Sequence, residues 1–140
     1  MTALEHKRKA RRKQTAEDFT PLELVDEMLD KLPIEVFTDP TKTFCDPAAG
    51  NGNFLIRVLE RKLSNGHSPL QALSTIYGVE LMPDNVEEMK ERLLEALPEL
   101  DKADLERAKG ILNTNIVCSD AITWDFENWC STVKHAKPLF

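Results

Sequence analysis

Cysteines and long apolar runs are scarce in this sequence. Its three cysteines, Cys45, Cys118 and Cys130, are widely spaced and odd in number. That pattern indicates reduced thiols inside a cell rather than a disulfide framework or a zinc site. No apolar run reaches the ~18 residues that a membrane span needs, and no apolar stretch follows the basic N-terminus as it does in a secretory signal. We therefore expect a cytoplasmic protein with no membrane contact.

Positive charge is also scarce outside one short segment. Residues 1–14 hold six of the 18 lysines and arginines but only one of the 24 acidic residues. Residues 15–140 therefore carry a net charge of −11, which makes them a poor general surface for nucleic acid. We expect a basic flexible arm over residues 1–14 and one domain over residues 15–140. The arm suits DNA phosphates or an acidic partner, with a solvated tail as the favoured alternative.

Three short apolar segments alternate with helical patterns along the rest of the chain. The segments span residues 43–46, 75–81 and 115–119, and their composition favours strands. Helical spacing of apolar residues precedes the first segment and recurs after the first two. This alternation is typical of βαβ units. We predict an α/β protein with a Rossmann-like sheet of three or at most four parallel strands and flanking helices.

The predicted helices have recognisable signals at their starts. Thr20 and Glu23 have the spacing of a capping box, with Pro21 at the first helical position. This first helix is expected to bury one apolar face, formed by Val25, Met28, Leu29 and Leu32. A second helix is predicted from about Asn53. A strong helix is predicted from Pro83, with these polar residues facing water: Glu87, Glu88, Lys90, Glu91 and Arg92.

Glycine is scarce as well, and only Gly50 and Gly52 lie one residue apart, in the loop DPAAGNGNF after the first predicted strand. Such a loop exposes its backbone to a ligand, next to the free N–H groups of a helix N-terminus. The Gly-Lys-Ser/Thr signature of a P-loop is absent, and the charge of Asp46 would repel a phosphate. A ligand with both a carboxylate and an ammonium group, such as an amino acid, fits the loop and Asp46 together. The alternative is a turn whose glycines serve tight packing only.

Each predicted strand has an acidic residue at its carboxyl end: Asp46, Glu80 and Asp120. In an open α/β sheet, ligands bind beyond the carboxyl ends of the strands. Glu80 can accept two hydrogen bonds from a ribose diol, and Asp120 can accept one from an exocyclic amine such as that of adenine. Three apolar side chains are candidates to sandwich a flat base: Leu81, Met82 and Ile122. An amino acid, a ribose and an adenine together make up S-adenosylmethionine, although acids at strand ends also serve simply as helix caps.

These motifs resemble those of the class I S-adenosylmethionine-dependent methyltransferases, and more narrowly of the adenine-specific DNA methyltransferases, including the modification subunits of restriction systems. Phe19-Thr20-Pro21 is similar to the family's FTP segment, and DPAAGNGNF to its first cofactor motif, DPxxGxGxF. Gly78-Val79-Glu80-Leu81 resembles the ribose-binding motif, and Cys118-Ser119-Asp120-Ala121 the adenine-binding motif.

The resemblance implies a role for each motif. The FTP segment would close over the methionine end of the cofactor, the glycine loop would hold that end, Glu80 would bind the ribose, and Asp120 with the backbone of Ala121 would read the adenine. The cofactor-binding residues on this interpretation are Phe19, Thr20, Pro21, Asp46, Pro47, Ala48, Gly50, Gly52, Asn53, Phe54, Glu80, Leu81, Asp120 and Ala121.

The family's catalytic tetrapeptide is absent from the sequence. It consists of Asn or Asp, then Pro-Pro, then Tyr or Phe; its polar side chain accepts a hydrogen bond from the target amine, and its ring stacks on the flipped base. The nearest match is Lys137-Pro138-Leu139-Phe140, but a lysine only donates hydrogen bonds. The catalytic residues therefore stay unknown.

Two main hypotheses follow. The first is an adenine-specific DNA methyltransferase-like protein that binds S-adenosylmethionine, in which a partner supplies the missing acceptor or the tail acts unconventionally. The second is a non-catalytic module that sequesters the cofactor or contacts DNA or proteins; an enzyme acting on the cofactor itself is a third, weaker idea.

The predicted sheet also has an open edge where a fourth strand belongs. We expect this edge to be covered by another copy, by a second polypeptide, or by the C-terminal tail with its aromatic residues Trp124, Phe126 and Trp129. The scattered histidines are expected at the surface, without a metal: His6, His67 and His135.

Overall fold

The computed structural model describes residues 2–6 and 19–133. The helices are α1 (Leu22–Asp30), α2 (Glu35–Thr38), α3 (Asn53–Ser64), α4 (Pro69–Ser74), α5 (Pro83–Ala96) and α6 (Lys102–Asn115). The strands are β1 (Phe44–Asp46), β2 (Ile76–Glu80), β3 (Ile116–Cys118), β4 (Trp124–Asp125) and β5 (Cys130–Ser131), and a 3₁₀ helix spans Ala121–Thr123. Most of the predicted basic arm, His135 and residues 137–140 lie outside the described residues.

Strands β1, β2 and β3 form a three-stranded sheet in that order, and both neighbouring pairs are parallel. Asp46 pairs with Gly78 and Glu80 pairs with Cys118, so the three strands end at the same edge of the sheet. Helices link each strand to the next. The predicted α/β architecture with three parallel strands and flanking helices is confirmed, and it is compatible with a Rossmann-like fold.

The hydrophobic core lies between this sheet and the helices. Helix α3 packs against β1, β2, α1 and α5, and α6 packs against α4 and β3. The fully or almost fully buried side chains include Val25, Leu29, Leu55, Val58, Leu59, Leu73, Ile76, Val79, Met89, Leu93, Leu112 and Ile116. Helices α3 and α5 each bury one apolar face, because their residues recur in this set at helical spacing.

The start and the face of α1 differ from the prediction. The helix begins at Leu22, and its N-cap is Pro21 without a side-chain capping bond, so the predicted capping box does not form. The Thr20 carbonyl instead accepts a hydrogen bond from Asn53. Met28 and Leu32 are exposed, whereas Val25 and Leu29 are buried, because α1 lies on α3 along a narrower stripe than the predicted face.

The described part of the C-terminal tail does not extend the sheet. Strands β4 and β5 pair with each other in a separate antiparallel sheet. The ring of Trp129 lies edge-on to Tyr77 of β2, with centroids 4.9 Å apart, and its Nε1 donates to the Thr114 carbonyl at 2.7 Å. Trp129 thus packs on the side chain of the central strand, and Trp124 and Phe126 pack on Trp129. Of the three ways predicted to cover the open edge, strand pairing by the described part of the tail does not occur, because β4 and β5 pair with neither β1 nor β3. Within the described residues, β1 pairs only with β2.

Two polar side chains that the sequence pattern gives no reason to bury are buried. His67 is only 9% exposed, with Nε2 3.3 Å from the Thr38 carbonyl oxygen, so its predicted surface position is wrong. The turn after α3 folds it against the end of α2. Lys62 of α3 is fully buried, and its Nζ donates to the Lys42 carbonyl at 2.8 Å. The two contacts tie the segment before β1 to α3 and to the turn that follows it.

Candidate functional site

A cavity of about 250 Å³ lies at the carboxyl end of β1, between the glycine loop and the segment before α1. It is smaller than the roughly 300–1,000 Å³ of pockets for drug-sized ligands, so it accommodates one end of a nucleoside-sized molecule. The residues that line it are Phe19, Thr20, Asp46, Ala48, Ala49, Gly50, Asn51, Asn53 and Phe54. Seven of these were predicted from the sequence, and Ala49 and Asn51 were not.

Backbone conformation and tight packing both require glycine at the two glycine positions of the loop. Gly50 and Gly52 have φ values of 58° and 94°, which favour glycine. A Cβ on Gly50 would stand 3.0 Å from the ring of Phe19, and a Cβ on Gly52 would stand 2.7 Å from Cγ of Met89. Tight packing thus explains the glycines, and the functional argument depends on the cavity and its charges.

Glu80, at the end of β2, is bound to the glycine loop. Its Oε1 accepts from the Gly50 N–H at 3.2 Å. Its Oε2 accepts from the Met82 N–H at 3.0 Å and from Nδ2 of Asn85 at 2.9 Å. Each carboxylate oxygen has two lone pairs, so Oε1 keeps one position for a further donor. Glu80 therefore lies next to the loop that lines the cavity without lining it itself, and it has room for one ribose hydroxyl rather than the predicted two.

Asp46 makes the cavity acidic. Its Oδ1 accepts from the Ala48 N–H at 3.0 Å. Burial raises the pKa of the Asp46 carboxyl, the Ala48 hydrogen bond opposes that rise, and the negative charge of Glu80 adds to it; the pKa lies above its usual 3.8. Two neighbouring carboxylates favour a cation and repel an anion, so the cavity suits an ammonium or sulfonium group better than a phosphate.

Replacing Asp46 with asparagine is expected to stabilise the free protein at pH 7 while weakening the binding of a cationic ligand. Because the pKa is raised in the folded state, stability falls as the pH rises from 3.8 through the folded-state pKa, and the full penalty remains above it. A neutral amide at this position carries no such penalty. We expect Asp46→Asn to raise Tm at pH 7 and to lose this advantage near pH 3. Thermal melts across this pH range check the result, and a variant that is less stable at pH 7 would contradict it.

Asp120 lies two residues beyond β3 rather than at its end. The Ser119 N–H donates to the Glu80 carbonyl at 3.0 Å, which places the ends of β2 and β3 side by side. Oδ1 of Asp120 accepts from the Ile122 N–H at 2.9 Å and caps the 3₁₀ helix. Leu81 and Ile122 are 60% and 91% exposed. Two of the predicted base-binding side chains are therefore exposed, and Asp120 and Ala121 do not line the cavity.

Helix α5 contributes a residue that the sequence analysis assigned to the solvent side. Nη1 of Arg92 donates to the Asn51 carbonyl at 3.0 Å and to Oδ1 of Asn53 at 2.8 Å. Nδ2 of Asn53 in turn donates to the Thr20 carbonyl at 2.7 Å. The prediction that Arg92 faces water is wrong. Its spacing from the buried Met89 (three residues) places it on the inner face of α5, a signal that the sequence did contain.

A groove of about 480 Å³ lies elsewhere, between α4 and α6. Its walls include Leu70, Ile111 and Thr114, and Arg107 is the one charged residue among those that line it. Its lining is mainly apolar and offers no convergent polar groups of known binding chemistry, so we place the candidate site at the strand ends.

Among the described residues, no group of three or more His, Cys, Asp or Glu side chains is arranged to hold a metal. No described helix is both long and apolar enough to cross a bilayer.

The fold and the cavity define an α/β protein with an acidic candidate ligand site at the carboxyl ends of a parallel sheet. Compared with family models, curated proteins and solved structures, the chain matches none. The methyltransferase resemblance thus stays a prediction.

Proposed function

We propose that this chain binds S-adenosylmethionine at the carboxyl ends of its parallel strands and is an adenine-specific DNA methyltransferase-like protein. The observation that carries the proposal is the cavity between Phe19 and the glycine loop, which the carboxylate of Asp46 lines and next to which the carboxylate of Glu80 binds the loop at Gly50. S-adenosylmethionine combines an ammonium and a sulfonium cation with a ribose diol. That combination complements two adjacent acids, whereas the phosphates of ATP or NAD would be repelled.

Three parts of the ligand have matching groups in the chain. The ammonium group would pair with Asp46, and one ribose hydroxyl would donate to Oε1 of Glu80. The adenine would lie on the open surface beside Leu81 and Ile122, with its amine toward Asp120. Bound there, the cofactor supplies an electrophilic methyl group. The chain's own part on this proposal is to bind and orient the cofactor.

The second candidate function is a binding module without methyl transfer. It is supported by the sequence itself, because the 140 residues contain no Asn/Asp-Pro-Pro-Tyr/Phe tetrapeptide. On the first proposal, a partner polypeptide supplies the acceptor for the target amine. The side of β1 that faces away from β2, unpaired in the described part of the chain, offers such a partner a strand to pair with.

Calorimetric titration with three ligands tests the proposed site. We expect S-adenosylmethionine to bind with 1:1 stoichiometry, S-adenosylhomocysteine to bind about tenfold more weakly because it lacks the sulfonium charge, and ATP not to bind. Equal binding of ATP, or no binding of S-adenosylmethionine, would contradict the proposal. Transfer of a labelled methyl group to unmethylated DNA by the chain alone would exclude the binding-module alternative and show that no partner is needed.

The basic arm is proposed to contact DNA phosphates. Its six lysines and arginines would release up to about five counterions on binding, since each neutralised phosphate contributes ~0.9 to the slope of log K against log salt. We expect deletion of residues 1–13 to flatten that slope by as much as ~5. A matched variant with the six basic residues replaced by glutamine separates charge from length and is expected to behave like the deletion. An unchanged slope in both would make the arm a plain tail.

A further inference from the structure

Helix α5 touches the candidate site through three residues on one face. Asn85 donates to Glu80, Met89 packs against Gly52, and Arg92 donates to the glycine loop at the Asn51 carbonyl. Their spacing of four and three residues places them in one row along the helix. The cavity is therefore supported from behind by a single rigid element.

Arg92 also determines how the side chain of Asn53 is oriented. A guanidinium group donates and cannot accept, whereas an amide has one accepting and one donating end. Because Oδ1 of Asn53 accepts from Arg92 at 2.8 Å, its Nδ2 is directed at the Thr20 carbonyl, 2.7 Å away. The amide has one productive orientation, and Arg92 fixes it.

We call Phe19 and Thr20 the roof of the cavity. The two hydrogen bonds from Arg92 to Asn53 and from Asn53 to Thr20 end at this roof. Both residues line the cavity, and the Phe19 ring lies over Gly50. The roof is followed at once by α1, whose N-terminus has no side-chain cap. The tie from Asn53 therefore holds a segment that the helix cap does not hold.

We propose that Arg92 is a positioning residue for the ligand site: through Asn53 it holds the roof over the cavity, and it thereby sets the affinity for S-adenosylmethionine without touching it. This inference rests on the proposed function for its ligand, but the roof tie itself does not. Loss of Arg92 frees the Asn53 amide to rotate. The roof then spends part of its time away from Gly50, and bound ligand escapes faster.

A double-mutant cycle tests the proposal. Arg92→Met is expected to weaken S-adenosylmethionine binding about tenfold in the wild-type background and less than twofold in the Phe19→Ala background, because a roof without its ring has nothing left to position. Lys90→Met is the matched control: Lys90 is a partly buried cation on the same helix that binds Asn113 of α6 instead, and its loss should change affinity less than twofold. Equal weakening by Arg92→Met in both backgrounds would overturn the proposal.

Hydrogen exchange separates this proposal from the proposed function. The Val25 N–H donates to the Pro21 carbonyl, so its exchange reports on opening at the base of the roof. We expect Arg92→Met and Asn53→Asp each to speed this exchange about tenfold without ligand, while Lys90→Met leaves it unchanged. Asn53→Asp keeps an acceptor for Arg92 but offers Thr20 no donor, so it severs the tie even if Arg92→Met fails to fold. Unchanged exchange in Asn53→Asp would refute the tie, whereas absence of ligand binding with faster exchange would refute only the proposed ligand.

Discussion

Glu80→Ala is expected to reduce affinity for S-adenosylmethionine by about 10- to 150-fold and to lower the stability of the free protein. The carboxylate would accept one ribose hydroxyl at Oε1, and a hydrogen bond to a charged group is worth about 1.5–3 kcal/mol. The same carboxylate accepts from Gly50, Met82 and the buried Asn85. Its removal therefore loosens the glycine loop and takes an acceptor away from the Asn85 amide.

Two control variants separate these effects. Glu80→Gln keeps one accepting oxygen, so it can satisfy either Gly50 or the pair formed by Met82 and Asn85, and we expect an affinity between those of the wild type and Glu80→Ala. Glu87→Ala removes an exposed acid from the neighbouring helix, and affinity should stay within about twofold of the wild type. Calorimetry and thermal melts on all three variants give both quantities. An affinity for Glu80→Ala equal to that of the wild type would show that Glu80 does not bind the ribose.

Gly52→Ala is expected to destabilise the fold by about 2–5 kcal/mol, the largest effect that we predict for a single methyl group. Two costs combine: the left-handed φ of 94°, which costs an L-residue about 1–2 kcal/mol, and overpacking of the buried Met89, typically about 1–3 kcal/mol. A Cβ 2.7 Å from Cγ of Met89 forces either the helix α5 or the loop to move. Because the glycine loop lines the cavity, either movement would change the shape of the cavity.

Gly66→Ala is the matched control, because the chain offers a second glycine with nearly the same backbone conformation. Gly66 has a φ of 86°, and no atom lies within 4 Å of a Cβ built on it. Gly66→Ala should therefore lower the free energy of unfolding only by the backbone cost, about 1–2 kcal/mol. Urea unfolding of both variants isolates the packing contribution of Met89. Equal destabilisation of the two variants would mean that α5 does not pack tightly on the loop.

Local pattern was sufficient to predict the three strands and the helices α3 and α5. Their apolar residues recur at clear spacing, and the strand ends fall within one or two residues of the predicted ones. Seven residues that line the cavity were predicted from two contiguous motifs, since a loop after a strand and a segment before a helix can be read from neighbouring residues. The described structure also brings Glu80 to the same edge of the sheet, which follows from the parallel register.

The features that sequence reasoning missed depend on distant contacts. The predicted Thr20 cap does not form, since α1 has Pro21 as its N-cap, and the contact that Thr20 does make is from its carbonyl to Asn53, 33 residues later. Arg92 resembled a surface arginine because its partners, Asn51 and Asn53, lie elsewhere in the chain. The β4–β5 hairpin has strands of two residues each, too short for a periodic pattern, and Trp129 anchors it on Tyr77.

The position of Asp120 after a strand is consistent with two roles, capping a helix and recognising an adenine amine. Its carboxylate caps the 3₁₀ helix through the Ile122 N–H, which is the capping role considered as the alternative for acids at strand ends. The cap uses Oδ1, and Oδ2 of the same carboxylate is the atom that would face an adenine amine. The capping role is observed, and the recognition role stays a prediction.

A crystal structure of the chain with S-adenosylmethionine tests the central claim most directly, since that claim concerns where one ligand lies. We predict its amino-acid end in the cavity beside Asp46 and under Phe19, one ribose hydroxyl on Glu80, and its adenine between the exposed side chains of Leu81 and Ile122. Ligand density in the groove between α4 and α6, or an empty cavity at saturating ligand, would contradict the account.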